Sequence, residues 1–207
     1  MKKAISLILA LAMALALCAC GGQSGGTEKQ LQFGTVDGSR YENSFLGIGC
    51  ELDGWTYASQ EELAQVAGLT ADMFSEDFAQ KMENVEMYYD MMAVAPDGLG
   101  SINIVIQNIG LVYSLAASEE QIIASALTSL DSELAAAGFS NVTAEQNKVT
   151  FAGAEHAGLQ LTANYMGVDV YEQQVYIKVG RYVAVVTLAS YMTDATAGYA
   201  DYFFALD

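Results

Sequence analysis

The sequence is poor in several residue types, and each shortage closes a class of function. Among 207 residues there are one Pro, one His and one Trp, and 8 Lys+Arg stand against 25 Asp+Glu. A lone Pro excludes a Pro-rich stalk or a collagen-like repeat. So few cations cannot neutralise a run of phosphates, which excludes a nucleic-acid binder. One His (His156) and three Cys cannot supply the ligands of a zinc centre. The calcium loop D-x-[DN]-x-[DN]-G is missing too; Glu51-x-Asp53-Gly54 and Asp97-Gly98 are fragments of it. Neither G-x-x-x-x-G-K-[ST] nor Ser-x-x-Lys occurs, and Gly47-Ile48-Gly49 lacks the third glycine of a dinucleotide fingerprint. No metal and no cofactor are therefore expected.

What the chain does have is apolar mass. Hydrophobic residues make up 53% and charged residues 16%, enough for a buried core and too apolar for a disordered chain. The formal net charge is −17. Met1-Lys2-Lys3 precede an uncharged run from Ala4 through Ala19, shorter than the ~20 residues that span a bilayer. A positive start, a short greasy middle and small residues at the end form the layout of a cleavable export signal.

The end of that run, Leu17-Cys18-Ala19-Cys20-Gly21, resembles the bacterial lipobox. The resemblance implies cleavage before Cys20, a diacylated Cys20 thiol (palmitate-type chains), and an amino end that can also be acylated. Cys18 is a poorer match, because the large Leu17 occupies the small position before it. Two or three chains anchor stably where one is marginal. The body would then sit on the outer, extracytoplasmic face of the cell membrane. Loss of Lys2 and Lys3 takes the charge from −17 to −19. An anionic bilayer repels such a body, so lipid, not electrostatics, would hold it.

The chain divides into a signal (1–19), a lipidated Cys and Gly/Ser-rich tether (20–40), and one globular domain (41–207). The tether is expected to span about 25 Å. Its Gly22-Gln23-Ser24-Gly25-Gly26 matches the nucleophile-elbow pattern but lacks the strand and helix that would strain the Ser. Cys50 alone remains in the body, so no intrachain disulfide forms, and its apolar neighbours read as a small buried hydrophobe.

Within the body, Tyr41–Asn43, Leu46–Leu52 and Trp55–Ala58 read as short strands. Ser59-Gln60-Glu61-Glu62 is a capping box opening a helix that ends at Gly68, and Thr70-Ala71-Asp72 starts a second helix. Strands at Glu86–Ala95 and Ser101–Asn108 flank the turn Pro96-Asp97-Gly98, with Ile102, Ile104 and Ile106 marking one buried face. Ser118-Glu119-Glu120-Gln121 caps a helix with the stripe Ile123, Leu127, Leu130, Leu134, closed by Gly138. Four strands follow (Lys148–Ala152, Glu155–Tyr165, Val168–Val179, Arg181–Tyr191) with Gly at the bends, which forces antiparallel neighbours. Tyr199, Phe203 and Leu206 share one face of a final helix. The fold class is α+β: a twisted antiparallel sheet flanked by helices.

This order is similar to the PsbP-like fold. The entry Tyr41-Glu42-Asn43-Ser44-Phe45-Leu46-Gly47-Ile48 followed by Trp55 resembles the opening of that family, though Leu52-Asp53-Gly54-Trp55 lacks the Pro that often precedes its Trp. No family site residue carries over.

Chemistry is thinly encoded. A lone His156 needs a nucleophile and an orienting group to act as a base. Pairs such as Glu61/Glu62, Glu76/Asp77 and Glu119/Glu120 sit where carboxylates favour helix starts. Trp55 and Tyr57, beside a Gly turn, are the candidate aromatic binding surface, for a protein or glycan partner. The leading expectation is a membrane-anchored lipoprotein with a non-catalytic binding domain. An envelope hydrolase using a carboxylate pair, with glycans as one substrate class, and an accessory subunit of an envelope complex are the alternatives.

Overall fold

The computed structural model describes residues 31–66 and 87–206. The signal, Cys20 and the helix expected from Thr70 lie outside these residues. Eleven strands and four helices are described, in the order β1 (Thr35–Asp37), β2 (Arg40–Asn43), β3 (Ile48–Glu51), β4 (Thr56–Tyr57), α1 (Gln60–Val66), β5 (Met87–Val94), β6 (Gly100–Asn108), α2 (Leu111–Ala116), α3 (Glu119–Ala136), β7 (Phe139–Phe151), β8 (Ala154–Tyr165), β9 (Val168–Val179), β10 (Tyr182–Tyr191), α4 (Thr196–Ala200) and β11 (Phe203–Ala205). None of the described helices is long and apolar enough to cross a membrane.

Local signals set the helix starts. Ser59 Oγ accepts from the Glu62 amide at 3.3 Å while Glu62 Oε2 accepts from the Ser59 amide at 2.8 Å. The same reciprocal pair joins Ser118 and Gln121. Each satisfies two first-turn donors that a helix cannot satisfy itself. The stripe of α3 is buried through Ile122, Ile123, Ala126, Leu130 and Leu134.

Two antiparallel sheets form. The larger runs β4-β5-β6-β10-β9-β8-β7 and the smaller β1-β2-β3-β11. One core lies between them. Ile102, Ile104 and Ile106 of β6 and Ala184, Val186 and Leu188 of β10 meet Tyr41, Ile48, Cys50 and Phe203 of the small sheet. A second core lies on the opposite face, where α3 packs on β7, β8 and β9 through Leu130, Leu134, Leu159, Leu161 and Val185.

Three expectations are corrected. Among the described residues, helices do not flank both faces of the large sheet: the small sheet covers one face, and α3 with α1 lies on the other. β6 is accordingly buried on both faces, Asn103 and Gln107 included, rather than on one. The final segment is not one helix. A five-residue helix ends at Ala200, and Phe203–Ala205 pairs with β3, Phe203 opposite Cys50. The open edge of β3 offers backbone partners that helical spacing alone does not anticipate. Gly49 permits this pairing, since a Cβ there would lie 2.7 Å from the Phe204 ring.

Two further elements differ from the sequence reading. Strand β7 starts at Phe139 rather than Lys148, and α2 was not anticipated because Gly110 before it makes no side-chain cap.

Residues 31–40, read from sequence as the last part of the tether, carry ordered structure. Leu31 is only 4% exposed, Phe33 packs edge-on against Tyr88 at 4.9 Å, and β1 pairs with β2. Deleting residues 1–30 is expected to leave a cooperatively unfolding protein. Deletion through residue 40 should lower stability by about 3–5 kcal/mol, from buried Leu31, half-buried Phe33 and the hydrogen bonds of the segment. Urea melts of the two fragments check this; equal midpoints would detach residues 31–40 from the fold.

Candidate functional site

Three groups of inward-turned charged and polar side chains stand out, and the first two hold elements together. The first surrounds Asp90, at the register shift between Tyr89 and Met91 in β5. Its Oδ1 accepts from the Gly34 amide at 2.9 Å, and its Oδ2 accepts from Asn43 Nδ2 at 2.7 Å and from the Tyr41 hydroxyl. Burial raises the Asp90 carboxyl above the usual carboxylate range, and these three donors pull it back. The bulge thus turns a carboxylate inward to clamp residues 34–43 onto the large sheet.

The second group is where β8 and β9 part company. The β8–β9 ladder covers Gly158–Tyr165 and Val168–Val175, leaving Ala157 and Lys178 without partners across this pair of strands. Glu119, in the first turn of α3, accepts from both, at 3.2 and 3.1 Å. His156 Nδ1 lies 3.5 Å from the same carboxylate. Burial acts to raise the Glu119 carboxyl, but the bonds from His156, Ala157 and Lys178 outweigh it and hold the group below its ordinary range. Lys178 Nζ donates to the Ser114 and Ala117 carbonyls, both at 2.8 Å, fastening the end of α2. Glu119 and His156 therefore plug a split in the sheet.

The third group is a polar row on the α3 side of β9. Tyr176 donates its hydroxyl to Gln174 Oε1 at 2.9 Å, and Gln174 Nε2 reaches Glu172 Oε2 at 3.4 Å. Thr187 of β10 stands opposite Gln174, and Asn103 of β6 opposite Thr187. The buried Asn103 Oδ1 and Thr187 Oγ1 have no hydrogen-bond partner among the described residues. Burial pushes the Glu172 carboxyl up to about 7.

The residues singled out from the sequence are dispersed. Cys50 is buried, its thiol pushed up to about 12 by burial, and its Sγ sits 3.9 Å from the Tyr57 hydroxyl. Its polar neighbour is Tyr57, whereas His156 faces Glu119, so the two form no nucleophile–base pair. Tyr57 donates to the Ser39 carbonyl at 2.9 Å and lines a cleft of about 520 Å³ with Phe33, Leu63, Tyr89 and Asp90. The carboxylates on that cleft are Asp90, engaged as above, and Glu62, engaged at its helix cap. No cluster of three or more His, Cys, Asp or Glu suited to a metal occurs among the described residues.

Trp55 points elsewhere. Its ring meets Tyr199 edge-on at 5.1 Å and Tyr202 at 6.0 Å, while the two tyrosines stack at 6.2 Å. Trp55 and Tyr57 thus belong to different surroundings. Tyr199 and Tyr202 were missed from sequence; their contact with Trp55 depends on the β3–β11 pairing. Among the strand tyrosines, Tyr88, Tyr89 and Tyr176 are buried and Tyr165 and Tyr171 half-buried, because both faces of the large sheet are covered.

No family model matches the chain, and no curated protein matches it. Among solved structures, the solution structure of cyanobacterial PsbP (CyanoP) from Synechocystis sp. PCC 6803 superposes with a TM-score of 0.48 at 10% identity, over 89% of this chain and 98% of that one. The crystal structure of PA94, a protein of unknown function from Pseudomonas aeruginosa, gives a TM-score of 0.29 at 17% identity, over 49% of this chain and 65% of that one. The functional reading therefore rests on this chain's own residues.

A carboxyl raised from its ordinary value of 4.5 to about 7 favours folding below the lower value and loses that advantage as pH climbs through the higher. Stability is expected to fall by on the order of 2 kcal/mol between about pH 4.5 and about pH 8, and Glu172→Gln should flatten that slope. Chemical denaturation across the range checks it; an unchanged slope in the variant assigns the effect to other groups.

Proposed function

We propose that this chain is an extracytoplasmic lipoprotein, anchored to the cell membrane through acylated Cys20, whose body is a non-catalytic interaction domain. The anchor reading is supported by the Lys2-Lys3 start, the uncharged run and the Leu17-Cys18-Ala19-Cys20 pattern. The observation that carries the interaction reading is a division of labour. Asp90, Glu119, His156 and Lys178, the groups best placed for acid–base work, are engaged in tying elements together. Large apolar and aromatic side chains meanwhile stay exposed, at strand ends and on α2. Such a surface suits a partner better than a reaction, since catalysis needs a titratable group within reach of a substrate.

The anchor is tested by labelled palmitate in cells. Wild type and Cys18→Ser are expected to incorporate label and partition into detergent, and Cys20→Ser to do neither. A labelled Cys20→Ser variant places the anchor elsewhere.

A further inference from the structure

The exposed apolar side chains are unevenly placed. Leu99, Met166, Val168, Met192 and Tyr202 all lie at one end of the sandwich, where β5 turns into β6, β8 turns into β9, and β10 ends. Met166 is 84% and Met192 65% exposed. Backbone bonds make the row continuous. Tyr191 donates to the Leu99 carbonyl at 2.9 Å, and Met192 to that of Asp169 at 2.8 Å. Tyr199 lies directly over Gly100, where a Cβ would fall 2.1 Å from its hydroxyl, and carries the row on to Trp55 and Tyr202.

The charge at this end is predominantly negative. Asp53, Asp97, Asp169, Asp194 and Asp201 are exposed around it. Asp97 is close enough to Tyr199 to help raise its phenol above the ordinary value, after burial. Of the described cations, Lys148, Lys178 and Arg181 lie toward the opposite ends of their strands. Arg40 of β2 comes near Tyr202, since its strand partner Glu51 donates its amide to the Tyr202 carbonyl, but Glu42 and Glu51 hold it at 2.5 and 3.7 Å.

We infer that this strand-end surface docks a basic protein segment carrying apolar side chains. The aspartates meet its Lys or Arg, the rings of Trp55, Tyr199 and Tyr202 receive guanidinium faces, and Leu99 and Met192 cover its apolar residues. The inference rests on the interaction-domain reading above and names the partner's chemistry. An anionic bilayer is disfavoured by the ring of aspartates. A neutral glycan would use the rings but gains nothing from five carboxylates.

Trp55 is the sole tryptophan, so its emission reports on this surface alone. The full-length acylated chain in detergent would be titrated with a Trp-free peptide alternating Arg with Leu or Phe. Parallel titrations would use its Glu counterpart and a chitin oligosaccharide. Saturable change in Trp55 emission is expected with the basic peptide only, weakening as salt rises. The double variant Asp97→Asn, Asp201→Asn should weaken binding about tenfold, and Tyr202→Ala likewise. Asp131→Asn with Glu133→Gln, exposed on α3, should leave it unchanged. An unresponsive Trp55, equal binding of the oligosaccharide, or an equal loss from the α3 pair overturns the inference. A photocrosslinker at Leu99, compared with one at Leu115 of α2, separates the two levels. Crosslinks from Leu115 alone would keep the interaction domain and remove this surface; crosslinks from neither would remove both.

Discussion

Burial of both faces of the β6–β10 pair is the constraint on which the other layers depend. Nine residue pairs join these strands, from Tyr182 opposite Asn108 to Ser190 opposite Gly100, and every residue of β10 is buried. One face of the pair must be covered by something sheet-shaped, and β1-β2-β3-β11 does this. The other face needs a helix, and α3 supplies its stripe over the neighbouring strands. The Asp90 clamp secures the first layer and the Glu119 plug the second. Both use carboxylates to accept from backbone amides that the ladders leave open, which costs less than burying those amides unpaired.

That arrangement explains how the acidic composition is distributed. Asp90, Glu119 and Glu172 are drawn inward, the first two with several donors each and Glu172 with one long contact from Gln174. The aspartates at the strand ends stay in water beside exposed apolar side chains. The inward groups hold the fold, and the outward ones give the surface a sign. On the proposed reading of a tethered interaction domain, the strand ends rather than the covered faces of the large sheet are the surface open to a partner.

The legible part of the fold was its local part. Two capping boxes, the turn at Pro96-Asp97-Gly98 and the glycine-punctuated strands after Gly153 each carry a short-range physical signal, and each is found where the sequence placed it. The illegible part was long-range pairing. The spacing of Tyr199, Phe203 and Leu206 satisfies a helix, but the edge of β3 captures Phe203–Ala205 as a strand. Alternation of Ile with Asn and Gln in β6 reads as one buried face, and only the presence of a second layer shows that Asn103 and Gln107 are buried too. Trp55 was legible as an aromatic of interest, but its partners were not, since Tyr199 and Tyr202 arrive from the far end of the chain. His156 and Glu119 were visible singly; their meeting at the split between β8 and β9 needed the sheet.

Native-state hydrogen exchange tests the central constraint most directly. If two-sided burial of β6 and β10 holds the molecule together, their amides exchange only through global unfolding, while those of the edge strand β7 open locally at lower free energy. Amides of β6 and β10 that exchange as readily as those of β7 would contradict the account.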